Sequence, residues 1–154
     1  MTVRLSPHFT LAELVASNTA TRLRIDNTPP AEVLPRLQEL ASMLERIRST
    51  LGRPVIVTSG YRGPVLNRVV GGVTSSDHMS GEAADIVCPG YGSPYQVARL
   101  LAPMVDTLSI GQLILEGVRG KQWVHVSTRR PSKLVNRVIT ITDAGARVGI
   151  QTLA

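Results

Sequence analysis

The longest regular pattern of apolar residues in the chain lies over residues 31–51. Apolar positions recur there every three or four residues, and charged residues occupy the other faces. The apolar positions are Leu34, Leu37, Leu40, Leu44, Ile47 and Leu51. This is the period of an α-helix that buries one face, and Gly52 follows where a helix commonly ends. The pattern therefore predicts the main amphipathic helix of the protein over residues 31–51.

Two shorter segments also show the pattern of helices. Residues 9–16 begin with a capping box, in which Thr10 is followed three residues later by Glu13. Residues 94–105 carry apolar side chains at helical spacing. Residues 17–30 are polar and lack a period, so they predict an irregular connector between the first helix and the main one.

The remaining apolar segments are short, rich in β-branched residues and bounded by turn residues, which is the pattern of strands. They lie at residues 54–59, 82–88, 111–116, 122–127, 136–142 and 147–152. The sequence Gly-Val-Arg-Gly-Lys between the third and fourth segments predicts a hairpin. Together these elements predict a single α+β domain over residues 1–154, with a mostly antiparallel sheet and helices packed on one side.

Length and composition agree with one globular domain. The chain has 154 residues, of which 43% are hydrophobic and 18% are charged. No apolar run is long enough to span a membrane, and residues 1–9 lack the charged and apolar regions of a secretory signal. We therefore expect a protein made in the cytoplasm without a signal peptide. These patterns leave the oligomeric state open.

The net charge of +6 indicates attraction to an anionic partner. The basic residues are mostly spread singly, and aromatic residues for base stacking make up only 3% of the chain. This distribution disfavours nucleic acid as the partner. The sequence favours an anionic polymer, such as peptidoglycan with its attached acidic polymers, and a charge that only keeps the protein soluble is the alternative.

Two histidines lie near an aspartate in positions that favour a metal site. His78 lies seven residues before Asp85, and Asp85 is on a predicted strand. His125 lies on a distant predicted strand. The loop before Gly81 can fold back and bring His78 to Asp85. Three protein ligands with a fourth position open to water are typical of a catalytic zinc ion. A surface histidine beside a capping aspartate is the alternative interpretation.

Several motifs follow one another in the order and spacing of a known family. They are Ser59-Gly60-Tyr61-Arg62, Asn67, Val70-Gly71-Gly72, Ser76-Asp77-His78, Gly81, Ala83-Ala84-Asp85 and Trp123-Val124-His125-Val126-Ser127. With these motifs the chain resembles the zinc D-alanyl-D-alanine carboxypeptidases and L-alanyl-D-glutamate endopeptidases, and most of all their phage and prophage branch. The motif core spans about residues 54–127. The resemblance implies Zn²⁺ bound by His78, Asp85 and His125, and a core shared with the hedgehog signalling domain.

The general base departs from the family pattern. Many family members carry a glutamate three residues before the last histidine, whereas this chain has Gln122, which cannot accept a proton. Glu116 is the predicted substitute. If it pairs across the hairpin with Trp123 or Lys121, its carboxylate shares a face with His125, and a slip of one residue turns it away. An exposed charge at a strand end is the alternative for Glu116.

Five further residues are expected near the substrate. Arg62 ends the strand that leads to the site, where it would hold a substrate carboxylate or the developing oxyanion, or be a surface arginine. Ser76 and Asp77 would bind substrate or orient the first ligand, and a role in the turn alone is the alternative for either residue. Tyr61 and Trp123 would form walls of the cleft, and a core position is the alternative for Trp123.

The sequence thus predicts a zinc-dependent peptidase that hydrolyses the stem peptides of bacterial cell walls. It would act as a phage endolysin or a virion-associated enzyme, and would reach the wall after release or within a virion. A D-alanyl-D-alanine carboxypeptidase is an alternative. A zinc-binding module without catalytic activity is another, because Gln122 stands where many relatives carry the base.

Overall fold

Helices and strands alternate irregularly along the chain in the computed structural model, which describes residues 2–153. The helices are α1 (Leu11–Val15), α2 (Asn18–Leu23), α3 (Leu34–Leu51), α4 (Pro64–Val69) and α5 (Pro94–Leu101). Single turns of 3₁₀-helix occupy Ala31–Val33, Ala102–Met104 and Leu134–Asn136. The strands are β1 (Arg4–Ser6), β2 (Phe9–Thr10), β3 (Ile56–Ser59), β4 (Ala83–Val87), β5 (Gln112–Val118), β6 (Lys121–Ser127), β7 (Val138–Thr142) and β8 (Gly145–Val148). Every predicted helix and strand is present, with its ends moved by a few residues.

Six of the strands form one sheet in the order β3-β4-β6-β5-β7-β8. All neighbours are antiparallel except β5 and β7, which run parallel. Strands β5 and β6 form the predicted hairpin, and its two turn residues, Arg119 and Gly120, have φ of 55° and 76°. Two positive φ values are what the tightest hairpin turn requires. The predicted α+β fold with a mostly antiparallel sheet is confirmed.

The two faces of the sheet have different roles. Successive strand residues point to opposite faces, so Ala84 and Val124 lie in the hydrophobic core while Asp85 and His125 face away from it. Helices α3 and α5 cover the core face with the side chains Leu37, Leu40, Leu44, Ile47, Val97 and Leu101. The helices thus pack on one side of the sheet, as predicted, and the opposite face carries the candidate chemistry. Within residues 2–153, no helix combines the length and apolarity needed to cross a bilayer.

The prediction of an irregular connector over residues 17–30 is wrong for its first part. Helix α2 begins there, capped by Ser17, whose hydroxyl accepts a hydrogen bond of 3.1 Å from the Ala20 amide. Helix α4 was also missed, and it starts at Pro64 within a stretch rich in glycine and serine. Both helices have six residues, too few to show a clear apolar period.

Glu45 of α3 holds the N-terminal strand pair β1–β2 against the core. Its carboxylate accepts hydrogen bonds from the Ser6 hydroxyl at 2.6 Å and the His8 amide at 2.7 Å, and it lies 2.8 Å from His8 Nδ1. Partial burial raises the pKa of Glu45, but the hydrogen bonds from Ser6 and His8 outweigh it and the pKa is lowered. The carboxylate therefore stabilises the fold in its charged form.

We expect Glu45→Gln to lower the free energy of unfolding by about 1–2 kcal/mol at neutral pH. Because the folded pKa lies below the ordinary value of 4.5, this stability is present above about pH 4.5. It is lost as the pH falls through the folded pKa. Urea unfolding of both proteins at several pH values should therefore show curves that converge in acid. A difference of equal size at pH 7 and pH 3 would contradict this assignment.

Candidate metal centre

Two neighbouring strands bring two of the predicted ligands together. Asp85 of β4 and His125 of β6 are direct cross-strand partners, and Asp85 Oδ1 lies 3.1 Å from His125 Nδ1. Residues that are opposite each other in an antiparallel pair share a face of the sheet. The alternation that buries Ala84 and Val124 in the core therefore turns Asp85 and His125 together onto the other face.

His78 reaches the same point from the loop between α4 and β4. Its Nε2 lies 3.3 Å from Asp85 Oδ1, and its ring centroid lies 5.1 Å from that of His125. Its other nitrogen, Nδ1, is 2.7 Å from the Gly60 carbonyl oxygen. A carbonyl oxygen only accepts, so Nδ1 carries the proton and Nε2 presents its lone pair to the cluster. The Gly60 carbonyl thus fixes the tautomer that a metal ligand needs.

The three side chains form one buried cluster. His78 is 2% exposed, and Asp85 and His125 are each 9% exposed. Their ligand atoms all lie within 4.8 Å of one another. Two imidazole nitrogens and a carboxylate oxygen are ligands that Zn²⁺ accepts, and three protein ligands leave a position for water or substrate. The structure thus brings the three predicted ligands together in a set that fits zinc.

Asp85 is the electrostatic centre of this cluster. Burial raises its pKa, but the hydrogen bond from His125 and the proximity of His78 outweigh the burial and hold the pKa well below its usual range. Burial lowers the pKa of His125, but the hydrogen bond and the charge of Asp85 outweigh it, so the pKa is raised. Asp85 therefore stays ionised and is available as a negatively charged ligand.

Glu116 lies on the same face of the sheet as the cluster. It pairs directly with Trp123, two residues before His125, which is one of the two predicted pairings. Burial and the nearby charge of Asp85 raise its pKa, against the opposing effects of His125, Trp123 and Arg62. The charges of Asp85 and His125 thus act on the Glu116 carboxylate, which the register places on their face of the sheet. The predicted hairpin register is confirmed, and the role as general base stays a prediction.

Gln122 faces away from the cluster. It pairs with Gly117 and is exposed. Because it precedes Trp123 by one residue on a regular strand, its side chain lies on the face opposite to that of His125. In this register a glutamate at position 122 would not face the cluster. The geometry therefore favours Glu116, and not position 122, as the place of a base.

Arg62 and Ser76 both contact the residue that supplies the first ligand. The Arg62 amide donates to the His78 carbonyl at 3.0 Å, and Ser76 Oγ accepts from the His78 amide at 3.2 Å. The Arg62 guanidinium reaches Ser76 Oγ through Nη2 at 3.5 Å. Its Nε is buried and has no partner within residues 2–153. An unpartnered buried donor costs free energy, which makes Arg62 a candidate for a functional contact.

The two predicted wall residues have different environments. Trp123 is partly buried on the face of Glu116, and its indole lies close enough to the Glu116 carboxylate to lower the pKa of that group. Trp123 therefore lies on the face of the sheet that carries the cluster. Tyr61 is only 4% exposed and packs in the hydrophobic core. The structure therefore gives Tyr61 a packing role and does not support its predicted contact with substrate.

Ser127, to which the sequence analysis gave no role, links the two segments that carry His78 and His125. Its buried hydroxyl donates to Asp77 Oδ2 at 2.9 Å. The Arg129 amide in turn donates to Ser127 Oγ at 3.1 Å. These hydrogen bonds tie the loop that carries His78 to the strand that carries His125. The period of two along β6, which places Ser127 on the face of His125, was the available signal.

Gly81 lies in the loop that leads from the first ligand to the second. Its φ is +77°, and an added Cβ would lie 2.6 Å from Val33 Cγ1 and 3.2 Å from Leu37 Cγ. We expect Gly81→Ala to lower the free energy of unfolding by about 2–4 kcal/mol, from backbone strain and overpacking together.

Gly71→Ala is the control, because Gly71 has the same φ and nothing within 4 Å of its added Cβ. It should cost about 1 kcal/mol. If chemical denaturation shows the same loss of unfolding free energy for both variants, the contact of the added Cβ with Val33 and Leu37 does not contribute.

The chain matches the model of a known protein family. The family is described as Peptidase M15, and its model matches residues 7–127. This range contains the three predicted ligands as well as Arg62 and Glu116, and it ends at Ser127. Among the curated proteins, no match was found.

Proposed function

The chain belongs to the peptidase M15 family, and from this membership we propose that it is a zinc-dependent peptidase acting on cell-wall stem peptides. The observation that carries the proposal is the buried cluster of His78, Asp85 and His125. A structural zinc ion is closed by four protein ligands, whereas this cluster has three and leaves a position for chemistry. Other metal-ligating groups of three or more residues are absent from the region 2–153.

Contacts within the protein hold the three ligands in orientations that suit a divalent cation. Zinc would be held by His78 Nε2, the Asp85 carboxylate and His125, whose Nδ1 faces Asp85. When bound, zinc supplies a Lewis acid that polarises the scissile carbonyl and makes a water molecule more acidic. The Gly60 carbonyl keeps the His78 ring in orientation through Nδ1.

We assign the general base to Glu116. It would accept a proton from the attacking water and return it to the leaving amine. Burial and the Asp85 charge raise its pKa, which makes the carboxylate a stronger base than an exposed glutamate. The neighbouring Trp123 indole and Arg62 guanidinium favour the charged form that is needed for the first proton transfer.

We assign the binding of substrate oxygen atoms to Arg62. Burial lowers the pKa of Arg62, while the charges of Asp85 and Glu116 oppose this effect, and its Nε lacks a partner among the described residues. Planar paired N–H donors suit a carboxylate or a developing oxyanion. The Ser76 hydroxyl accepts hydrogen bonds from both the Arg62 guanidinium and the His78 amide.

The finer activity that we propose is endopeptidase cleavage within the stem, as a phage endolysin or a virion-associated enzyme that reaches the wall after release. The net charge of +6 supports attachment to an acidic wall. A D-alanyl-D-alanine carboxypeptidase is the second candidate, because the unpartnered Arg62 donor suits the terminal carboxylate of such a substrate.

Mass spectrometry of purified cell walls after digestion tests these activities. An endopeptidase releases fragments cut within the stem, whereas a carboxypeptidase shortens each stem by one alanine. We expect stem cleavage with the zinc-loaded protein. Loss of a single alanine alone would assign the carboxypeptidase activity instead. Zinc binding without any change in the wall peptides would mean that the protein is a binding module.

A further inference from the structure

Two arginines contact successive residues of the loop that carries the first ligand. Arg62 Nη2 lies 3.5 Å from Ser76 Oγ, and Arg129 Nη1 lies 3.6 Å from Asp77 Oδ1. Arg62 is already assigned to the substrate. The Arg129 side chain is 63% exposed, and nothing in the proposed mechanism uses it.

The contacts of Arg129 place it at the edge of the metal centre. Its amide donates to Ser127 Oγ at 3.1 Å, and Ser127 follows His125 by two residues on the same face of β6. Its guanidinium meets Asp77, the residue directly before His78. Arg129 therefore contacts Asp77, the neighbour of one histidine ligand, and Ser127, which lies two residues from the other.

The ion pair with Asp77 does not account for Arg129. A single N···O contact of 3.6 Å between a carboxylate and an exposed guanidinium contributes little to stability. Asp77 has a shorter partner in Ser127 Oγ, at 2.9 Å. A guanidinium has five N–H donors, so most of those on Arg129 are free for another acceptor. The site thus has an exposed cation beside it whose own ion pair contributes little to stability.

We propose that Arg129 is a specificity residue that binds a second carboxylate of the substrate, on an acidic residue next to the cleaved alanine bond. This inference rests on the proposed peptidase function. Guanidinium binds carboxylate through paired, charge-assisted hydrogen bonds, and a carboxamide at the same place offers only one acceptor and no charge. The protein should therefore prefer an acidic stem peptide to the same peptide with that acid amidated.

A pair of stem peptides that differ only in this group tests the proposal. Both contain the Ala–D-Glu bond, one with the free carboxylate of D-glutamate and one with the carboxamide. The zinc-loaded protein should show a kcat/KM about tenfold higher for the carboxylate peptide, the effect of one charge-assisted contact. Arg129→Gln should remove the preference by slowing only the hydrolysis of the carboxylate peptide.

Arg130→Gln is the matched control. Arg130 is the next residue, its side chain is 62% exposed, and it makes a similar loose contact of 3.8 Å with Asp106. The control removes the same charge from the same segment but leaves the contact with Asp77 intact. The preference of this variant should equal that of the wild type.

Three outcomes would overturn the proposal. One is a wild-type protein that hydrolyses both peptides equally well. Another is an Arg129→Gln variant that slows both peptides by the same factor and binds zinc more weakly in chelator competition, since Arg129 would then only position Asp77. The third is an equal loss of preference in Arg130→Gln, which would indicate a general effect of charge.

Failure of the proposed function would be visible separately, as the hydrolysis of neither peptide by the zinc-loaded wild type. Titration calorimetry then decides the inference, because recognition does not require turnover. Tighter binding of the carboxylate peptide by the wild type, with equal binding of both peptides by Arg129→Gln, would support it. Equal binding by the wild type would overturn it.

Discussion

Replacing Glu116 with glutamine should lower kcat for stem-peptide hydrolysis by about 10²–10⁴-fold, the usual contribution of a general base. The amide has nearly the shape of the carboxylate but cannot accept a proton from water. Glu116 is the cross-strand partner of Trp123 and lies on the same face of the sheet as the metal cluster. It is not one of the three ligands, so zinc should remain bound. The measurement is kcat at saturating peptide, with the zinc content determined on the same preparation.

Glu82→Gln is the control for this experiment. Glu82 lies just before β4, and its carboxylate accepts a hydrogen bond of 2.5 Å from Ser80 Oγ. We expect this variant to keep kcat within a few-fold of the wild type. Full activity of Glu116→Gln would show that the base is another group, and a rate loss in both variants would indicate a general loss of charge or folding.

His78→Ala should abolish stoichiometric zinc binding and, with it, hydrolysis. Loss of a partner that only orients a ligand weakens metal binding by 10–100-fold, so loss of a direct ligand should cost more than about 100-fold. The change leaves two ligands, Asp85 and His125, around the metal position. Zinc affinity from chelator competition and zinc content after dialysis measure the effect.

His8→Ala is the matched variant, because His8 is the third histidine of the chain and pairs with Glu45, away from the cluster. It should bind one equivalent of zinc with wild-type affinity. A full equivalent of zinc retained by His78→Ala would remove His78 from the ligand set. Circular dichroism of both variants would show whether each is folded.

The elements with a strong local pattern were predictable from sequence. The long apolar period before Gly52 corresponds to α3, which ends with Gly52 at φ +68°. The capping box at Thr10 and Glu13 is present at the start of α1. The hairpin followed from its β-branched segments and its Arg119-Gly120 turn. In each case residues close together in sequence determine the local structure.

The elements that depend on distant contacts were not predictable in the same way. Helices α2 and α4 are short and have few buried residues, so their formation depends on caps and on tertiary packing. The parallel pairing of β7 with β5 joins strands that are separated by β6, and no local pattern encodes it. Tyr61 was expected in the cleft, but tertiary packing places its ring in the core.

In the candidate site, too, the features with a local sequence pattern were predictable and those that depend on distant contacts were not. His78, Asp85 and His125 were found because their motifs and spacing are visible in the chain. The orienting partner of His78 is the Gly60 carbonyl, a backbone group that side-chain patterns do not reveal. The link from Asp77 to Ser127 joins residues 50 positions apart. The face of Glu116 depended on a register that only the paired strands determine.

The central claim is that a zinc ion on this cluster makes the protein a cell-wall peptidase. Its most direct test is the digestion of purified cell walls by the zinc-loaded protein, with and without a chelator, followed by mass spectrometry of the wall peptides. We predict stem cleavage that the chelator abolishes and added zinc restores. Unchanged wall peptides with the fully zinc-loaded protein, or cleavage that persists at the same rate after the metal is removed, would contradict the claim.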